Sequence, residues 1–325
     1  MPAPSTGLRF PSSRVLLART RLAYVHLPNL LSDAKRDRAA RISGYVAISL
    51  PEELIVLYLL GGEVVNSTAR DSRGARAIAI AAALAKVPDA PEYGEICFQE
   101  AEPELLACMF ASESEPPESW PDPIVPSDPA SLFPYLMGTM FDGVVEIISN
   151  DCANYLVFRN GSVARAYLSN AHHGTTVERV SKLFTHEAKN GDFRVARWDP
   201  PSPLAVQAPP ALVQAYRDLT NSLIERLVGY GRDSAPAIAE HARTSLASSH
   251  FVLNGFSFSG RPVTDPLADT AALTAGVAAW IREVMWAAVD HDSVSPDALF
   301  RELTWDRRHM FQSAGLFDQL PWKVV

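Results

Sequence analysis

The sequence predicts an α+β fold: two tandem repeats of a small strand-rich module followed by an all-helical C-terminal domain. Three observations predict it. An offset of 99 residues relates Gly143, Gly161 and Val163 to Gly44, Gly62 and Val64 without a gap. The apolar residues around these glycines alternate or form short dense runs, as in Val46-Ala47-Ile48 and at 55–60 and 155–158, which is the mark of strands. Beyond Pro209 the repeat stops and apolar residues fall at helical spacing.

Residues 1–21 show neither period and are expected as a basic extended arm. Module 1 is expected over 22–112. Leu27, Leu30, Leu31 and Ala34 predict a short amphipathic helix with Pro28 in its first turn, where a missing N–H does no harm. Gly44 opens a half-buried strand, and 55–60 is a strand covered on both sides. Gly61-Gly62 is a hairpin turn, because glycine supplies the positive φ such turns need. Val64-Val65 starts the return strand. The Ala-rich stretch 74–87 is expected as one helix ended by Pro88, followed by a strand at 94–98 and a helix at 103–110.

Residues 113–130, rich in Pro, Ser, Glu and Asp, are expected as a semi-extended linker. Trp120 within it is expected to dock, on this chain or on a partner. Module 2, at 131–205, repeats the pattern with Leu132, Phe133, Leu136 and Met140, the Gly161 hairpin, a helix over 175–187, and Gly191 to Val195 as counterpart of Gly94 to Phe98. The domain 206–325 is expected to hold a helix from Leu212 to Leu227 ended by Gly229, helices at 235–246 and 267–289, and a fourth opening at Ser295. Between the second and third lies an aromatic loop at 251–266. The tail, with Trp305, Phe311, Phe317 and Trp322, is too aromatic to hang free.

Charge bounds the function. The chain carries −8 overall, which argues against nucleic-acid binding. Up to Arg41, however, eight Arg or Lys stand against two Asp, which leaves −14 for the remainder. Such a basic segment suits an acidic protein surface or anionic lipid headgroups. Arg9, Arg14, Arg19 and Arg21, with Trp120, are the candidate partner-binding residues. The cysteines Cys97, Cys108 and Cys152 are odd in number and form no C-x-x-C pair, so neither a disulfide framework nor a zinc site is expected, and a reducing cytoplasm is the default. Leu54 to Leu60 is far short of the roughly 20 residues of a membrane span, and Val15-Leu16-Leu17-Ala18 is too short for a signal-peptide core.

No motif for catalysis, cofactor or metal stands out, and none of the three is expected. Gly255-Phe256-Ser257-Phe258-Ser259 approaches a nucleophile elbow but has serine where the second glycine belongs. His291-Asp292 lacks further ligands beyond His241. His172-His173 are adjacent on an extended chain and point opposite ways. Asn66-Ser67-Thr68 matches a glycosylation sequon without a secretory signal. Asp306-Arg307-Arg308-His309 reads as a helix-end ion-pair cluster.

The order of marks in each repeat is a leucine-bearing helix, a glycine opening a strand, a second strand ending in a glycine turn, a return strand, a helix, and a closing glycine-aromatic strand. In the first copy these are Leu30-Leu31, Gly44, Gly62, the Gly74 helix and Gly94 with Phe98. In the second they are Leu132, Gly143, Gly161, the Gly174 helix and Gly191 with Phe193. Over residues 22–197 this resembles the PATAN-type domain of bacterial signalling and regulatory proteins. The resemblance implies a non-catalytic module that binds protein partners.

The expected function is therefore a non-catalytic scaffold with other protein subunits as partners. Its basic arm suits the cytoplasmic face of a membrane-bound bacterial assembly, where the chain would be an extrinsic stabilising subunit. A photosynthetic reaction centre with its antenna is one such host. A soluble signalling adaptor is the alternative within the binding class. A hydrolase around His241, Ser257 and His291 is the alternative outside it.

Overall fold

The glycine-punctuated repeat folds as two antiparallel sheets, and the last third of the chain is helical. The structure, a computed structural model, describes residues 7–36, 42–87, 93–169, 174–184, 193–257, 264–288 and 295–322. The chain divides into two compact units, Met1–Ile78 with Ala85–Ala205 and Ala79–Leu84 with Val206–Val325.

In the first unit, strands β1 (Arg14–Arg21), β2 (Gly44–Ser49), β3 (Leu54–Leu60), β4 (Glu63–Asp71), β5 (Gly74–Ile78) and β6 (Glu95–Glu100) form a sheet of order β1-β6-β2-β3-β4-β5. Strands β7 (Gly143–Ser149), β8 (Cys152–Arg159), β9 (Ser162–Leu168) and β10 (Arg194–Trp198) form a second sheet, β10-β7-β8-β9. The order β6-β2-β3-β4 is thus repeated, strand for strand, as β10-β7-β8-β9. The helices of this unit are α1 (Leu27–Arg36), α3 (Pro103–Ser114), α4 (Pro129–Gly138) and α5 (Thr176–Lys182). Helix α2 (Ile80–Ala85) follows β5 and belongs, up to Leu84, to the second unit, within which Ile80 N–H donates to Gln207 Oε1 at 3.1 Å.

The 99-residue offset holds in atomic detail. The pairing register shifts at Tyr58/Leu59 between β3 and β4, and again at Val157/Phe158 between β8 and β9. Gly62 N–H donates to Ile42 O at 2.8 Å, and Gly161 N–H to Phe141 O at 2.9 Å. Both glycines have positive φ, +83° and +74°. A Cβ on Gly62 would run into Ala34 O of α1, and one on Gly161 would lie 2.8 Å from Met137 Cα of α4. The same approach of helix to hairpin turn is therefore the reason for glycine in both copies.

The two sheets share one core. Tyr45, Leu54, Val56 and Tyr58 of the first cluster with Val144, Ala153, Tyr155 and Val157 of the second and with Leu105, Leu106, Cys108 and Met109 of α3. The opposite face of the second sheet (Val145, Ile147, Leu156 and Phe158) packs under α4 and α5 through Leu132, Leu136, Val180 and Phe184.

The second unit holds α6 (Pro210–Gly229), α7 (Ala235–Leu246), α8 (Thr270–Ala288), α9 (Pro296–Thr304), α10 (Arg308–Ser313) and α11 (Leu316–Gln319). Trp280 fills its centre and donates Nε1–H to Ala239 O at 2.9 Å. Most of the aromatic tail packs: Phe311 lies 5.4 Å from Tyr216, Trp322 stacks on Phe300 at 5.3 Å and Phe317 packs on the same core, whereas Trp305 is 69% exposed. Among the described residues no helix is long and apolar enough to cross a membrane.

Several expectations are corrected. The single helix expected over 74–87 is β5 followed by the short α2, because pairing with β4 overrides the helix propensity of Ala75 and Ala77. The segment expected only as an extended arm is part of the fold: 14–21 is β1, paired with β6, and Leu8 and Phe10 are buried. Its period was hidden because register shifts between Val15/Leu17 and Leu17/Thr20 interrupt the alternation. The helix expected from Leu212 is α6, which ends at Gly229 as expected, with the left-handed turn following at Gly231, φ +79°. Strand pairing also sets Arg197, not Phe193, at the position of Phe98, since Val46 pairs with Phe98 and Val145 with Arg197. Pro88, Gly191, His172, His173, His291 and Asp292 lie outside the described residues.

Replacing Gly62 or Gly161 by alanine should cost about 1–3 kcal/mol each through strain and the helix contact. Gly229→Ala, in α6 with nothing within 4 Å of a new Cβ, should stabilise by up to about 1 kcal/mol. Urea unfolding of the three variants checks the contrast.

Candidate functional site

The arm residues of interest sit on a sheet edge. Arg9 is exposed between buried Leu8 and Phe10, and its backbone is held by Asp151 O and Ala153 N–H at 2.7 and 2.8 Å. Arg14 and Arg19 of β1 pair with Glu100 and Glu95 of β6, Nε to Oε2, at 2.7 and 3.1 Å. Arg21 is exposed at the end of the strand.

Trp120 docks within the chain. Its Nε1–H donates to Val195 O of β10 at 3.3 Å, and the Arg197 guanidinium lies 5.1 Å from its ring. Glu118 N–H donates to Arg197 O at 2.9 Å, an isolated antiparallel bridge. The linker thereby occupies, on β10, the position that β1 occupies on β6.

The most strained electrostatics were not legible in the sequence. Glu113, expected in a solvated linker, is the buried last turn of α3, 1% exposed. Arg70 of β4 grips it bidentately, Nη2–Oε1 at 2.6 Å and Nε–Oε2 at 3.1 Å. Glu146 of β7 stands where the first repeat has Ala47, is 2% exposed, and its Oε1 has no hydrogen-bond partner. Burial, and then the charge of Glu113, push the Glu146 carboxyl up to about 7; Arg194, 4.0 Å away, and Arg70 oppose the shift. Tyr155 donates to or accepts from Ser112 at 3.0 Å, and burial pushes its phenol well above the ordinary value. This cluster lies in the core shared by the sheets, away from solvent, so it specifies packing and offers no route for a substrate.

Two accessible concavities lie around β9. This strand ends the second sheet, and its outer edge is paired with no strand among the described residues. On the face of Phe158 and Leu156, an apolar groove of about 380 Å³ is lined by Phe133, Val163, Val177, Val180 and Phe184. Val163 is 40% and Val177 79% exposed. A second cavity, about 500 Å³, is lined by Ser12, Ser13, Glu102, Arg165, Tyr167 and Arg179 among others. Arg165 there pairs with Glu102 and Glu104, and Tyr167 OH donates to Glu104 Oε2 at 2.8 Å. The repeat carried no signal for this surface: the offset sets Val163 and Val177 at the positions of Val64 and Ile78, which are not paired with each other.

The hydrolase candidates are placed as follows. His241 is exposed on α7, and Ser257 is half-buried just beyond a 3-10 turn, Phe251–Gly255, not at a strand-to-helix elbow. His291 lies outside the described residues. Cys97 and Cys108 are free thiols, Cys152 is buried, and burial pushes Cys108 up to about 12, which leaves it unreactive. Asn66 of the sequon is buried and donates Nδ2–H to Ala205 O at 2.8 Å. Among the described residues no group of three or more His, Cys, Asp or Glu is placed to hold a metal ion.

Arg70→Met should destabilise by about 3–5 kcal/mol, because Glu113 is left charged and buried, whereas the pair of changes Arg70→Met and Glu113→Leu should cost much less. A double-mutant cycle in urea measures this. Glu146 has its folded pKa raised to about 7 from 4.5. Stability should therefore be greatest below about pH 4.5 on its account and fall by roughly 3 kcal/mol as pH rises to about 7. Glu146→Gln should remove that slope, which unfolding at a series of pH values will reveal.

Comparison with family models, with curated proteins and with solved structures finds no match to this chain.

Proposed function

We propose that this chain is a non-catalytic interaction protein whose second repeat docks other protein subunits. The observation that carries the reading is the apolar groove beside β9 and α5, with Val163 and Val177 turned to solvent at its rim. Apolar side chains gathered round a concavity, rather than scattered singly, mark a surface that gains from being covered. The PATAN-like order of the repeat supports the same class of function.

The finer reading follows from charge. Arg9 and Arg21 are exposed, and Arg14 remains 62% exposed although paired. A chain with this basic edge on an acidic body suits an extrinsic subunit on the cytoplasmic face of a membrane-bound bacterial assembly. A soluble signalling adaptor is the alternative.

The test is affinity purification from the native host in mild detergent, comparing the wild type with Val177→Glu, a change at an exposed site that leaves the core untouched. The expected outcome is near-stoichiometric recovery of partner chains by the wild type and at least tenfold less by the variant. Membrane-complex subunits among them would support the extrinsic role, and soluble regulators the adaptor. Recovery of the chain alone from both soluble and detergent fractions would overturn the proposal.

A further inference from the structure

The first repeat contains a template for what the second repeat leaves open. In the first, the outer edge of β4 is covered by β5, which pairs antiparallel with it: Ser67 with Ile78, Thr68 with Ala77 and Ala69 with Arg76. The 99-residue offset places Ala166, Tyr167 and Leu168 of β9 at the positions of Ser67, Thr68 and Ala69. The counterparts of Ala75 to Ile78 are Gly174 to Val177, and they do not form a strand. Thr175 is instead the N-cap of α5, in a capping box with Glu178. The local sequence has turned the covering strand into a helix start. The other flank of the same sheet is covered by the chain itself, through Glu118 on Arg197 of β10.

An uncovered edge presents a row of backbone donors and acceptors, and proteins normally blunt it with charge, proline or a bulge. Here the bulge lies at Val157/Phe158 opposite Val163 and Arg165, and the stretch beyond it, Ala166-Tyr167-Leu168, has neither charge nor proline. The apolar groove lies beside the start of the strand, at Val163, and the polar cavity runs along its edge at 165–168, between Ser12, Ser13 and Glu102 on one side and Arg179 of α5 on the other. Alternate side chains of an added strand point to opposite faces, so one set would face α5 and the groove and the other would face Ser12, Ser13 and Glu102.

We propose that β9 is a strand-addition site for an extended segment of a partner protein, about five residues long as β5 is. The segment runs antiparallel to β9. It carries apolar side chains at alternate positions toward α5 and the groove, and polar ones between them toward Ser12, Ser13 and the Arg165–Glu102 pair. A partner segment fits better than a second copy of this chain. Residues Ser162–Leu168 hold Arg165 and no acid, and Arg159 precedes them, so two copies paired edge to edge would set like charges against each other. This inference rests on the interaction role proposed above and adds the ligand class and its binding mode.

The test uses the full chain, immobilised, against a phage-displayed library of random dodecapeptides. A selected peptide is then measured by fluorescence anisotropy. The expected peptides alternate apolar with polar residues. Binding falls at least tenfold in Val163→Glu and in Val177→Glu, whose circular dichroism and melting temperature match the wild type. N-methylation at alternate backbone amides of the peptide abolishes binding, and N-methylation at the intervening amides does not. Groove-dependent peptides that tolerate N-methylation throughout, or that bind as helices, would overturn strand addition while leaving the interaction role standing. No enrichment over the Val177→Glu chain would also overturn it, and the host purification then decides the broader role separately. A micromolar dimer that Val163→Glu dissociates would overturn it in favour of a second copy on the edge.

Discussion

The first unit depends on the packing of two equivalent sheet faces against each other and against α3. Positions related by the repeat meet in one core, so the arrangement is a dimer-like association built into one chain. Identical faces would clash or leave gaps, and the repeat has diverged to avoid this. Tyr45 answers to Val144, Tyr58 to Val157, Tyr155 to Val56 and Leu54 to Ala153. Large and small residues exchange places between copies, which is what dense interdigitation of two like surfaces needs.

The same core contains an ion pair and a half-satisfied carboxyl. Arg70 and Glu113 satisfy each other bidentately, which makes the charge tolerable and ties β4 to the end of α3. Glu146 has the more distant Arg194, 4.0 Å from its Oε2, its Oε1 is unpaired, and burial raises its pKa. Buried polar groups of this kind contribute less to stability than apolar residues of the same volume, but they penalise any register in which they lose their partners. A slip by one residue would turn Glu146 and Tyr155 to the wrong face and bring apolar residues in their place.

The edges of the repeated four-strand unit are closed in different ways. The edge of β6 carries β1, the edge of β4 carries β5, and the edge of β10 carries the linker through Glu118 and Trp120. Three solutions to one liability come from three different segments of the chain. The edge of β9 has none of them among the described residues, and it is flanked by the two concavities. Arginines that looked like a free binding arm instead ladder across β1 and β6 with glutamates, so charge that suggested a partner is partly used within the sheet.

What the sequence by itself determined is what depends on local pattern. The offset of the repeat, the strands at 55–60 and 155–158, the glycine turns at Gly62 and Gly161 and the helical last third follow from period, from positive φ and from chain spacing. Trp120 was also legible as a residue that must dock, because a large aromatic ring is costly to leave in solvent. The tertiary structure alone decided the rest. Gly74 to Ile78 became a strand because β4 offered an edge, although alanine favours helix. Residues 14–21 became a strand because β6 offered another, with bulges that erased the period. Glu113 became a buried ion because Arg70 stands across from it, 43 residues away. The exposed pair Val163 and Val177 became the rim of a groove because the repeat was not completed there. Each of these rests on which distant backbone edges and side chains meet, and no short window of sequence carries that information.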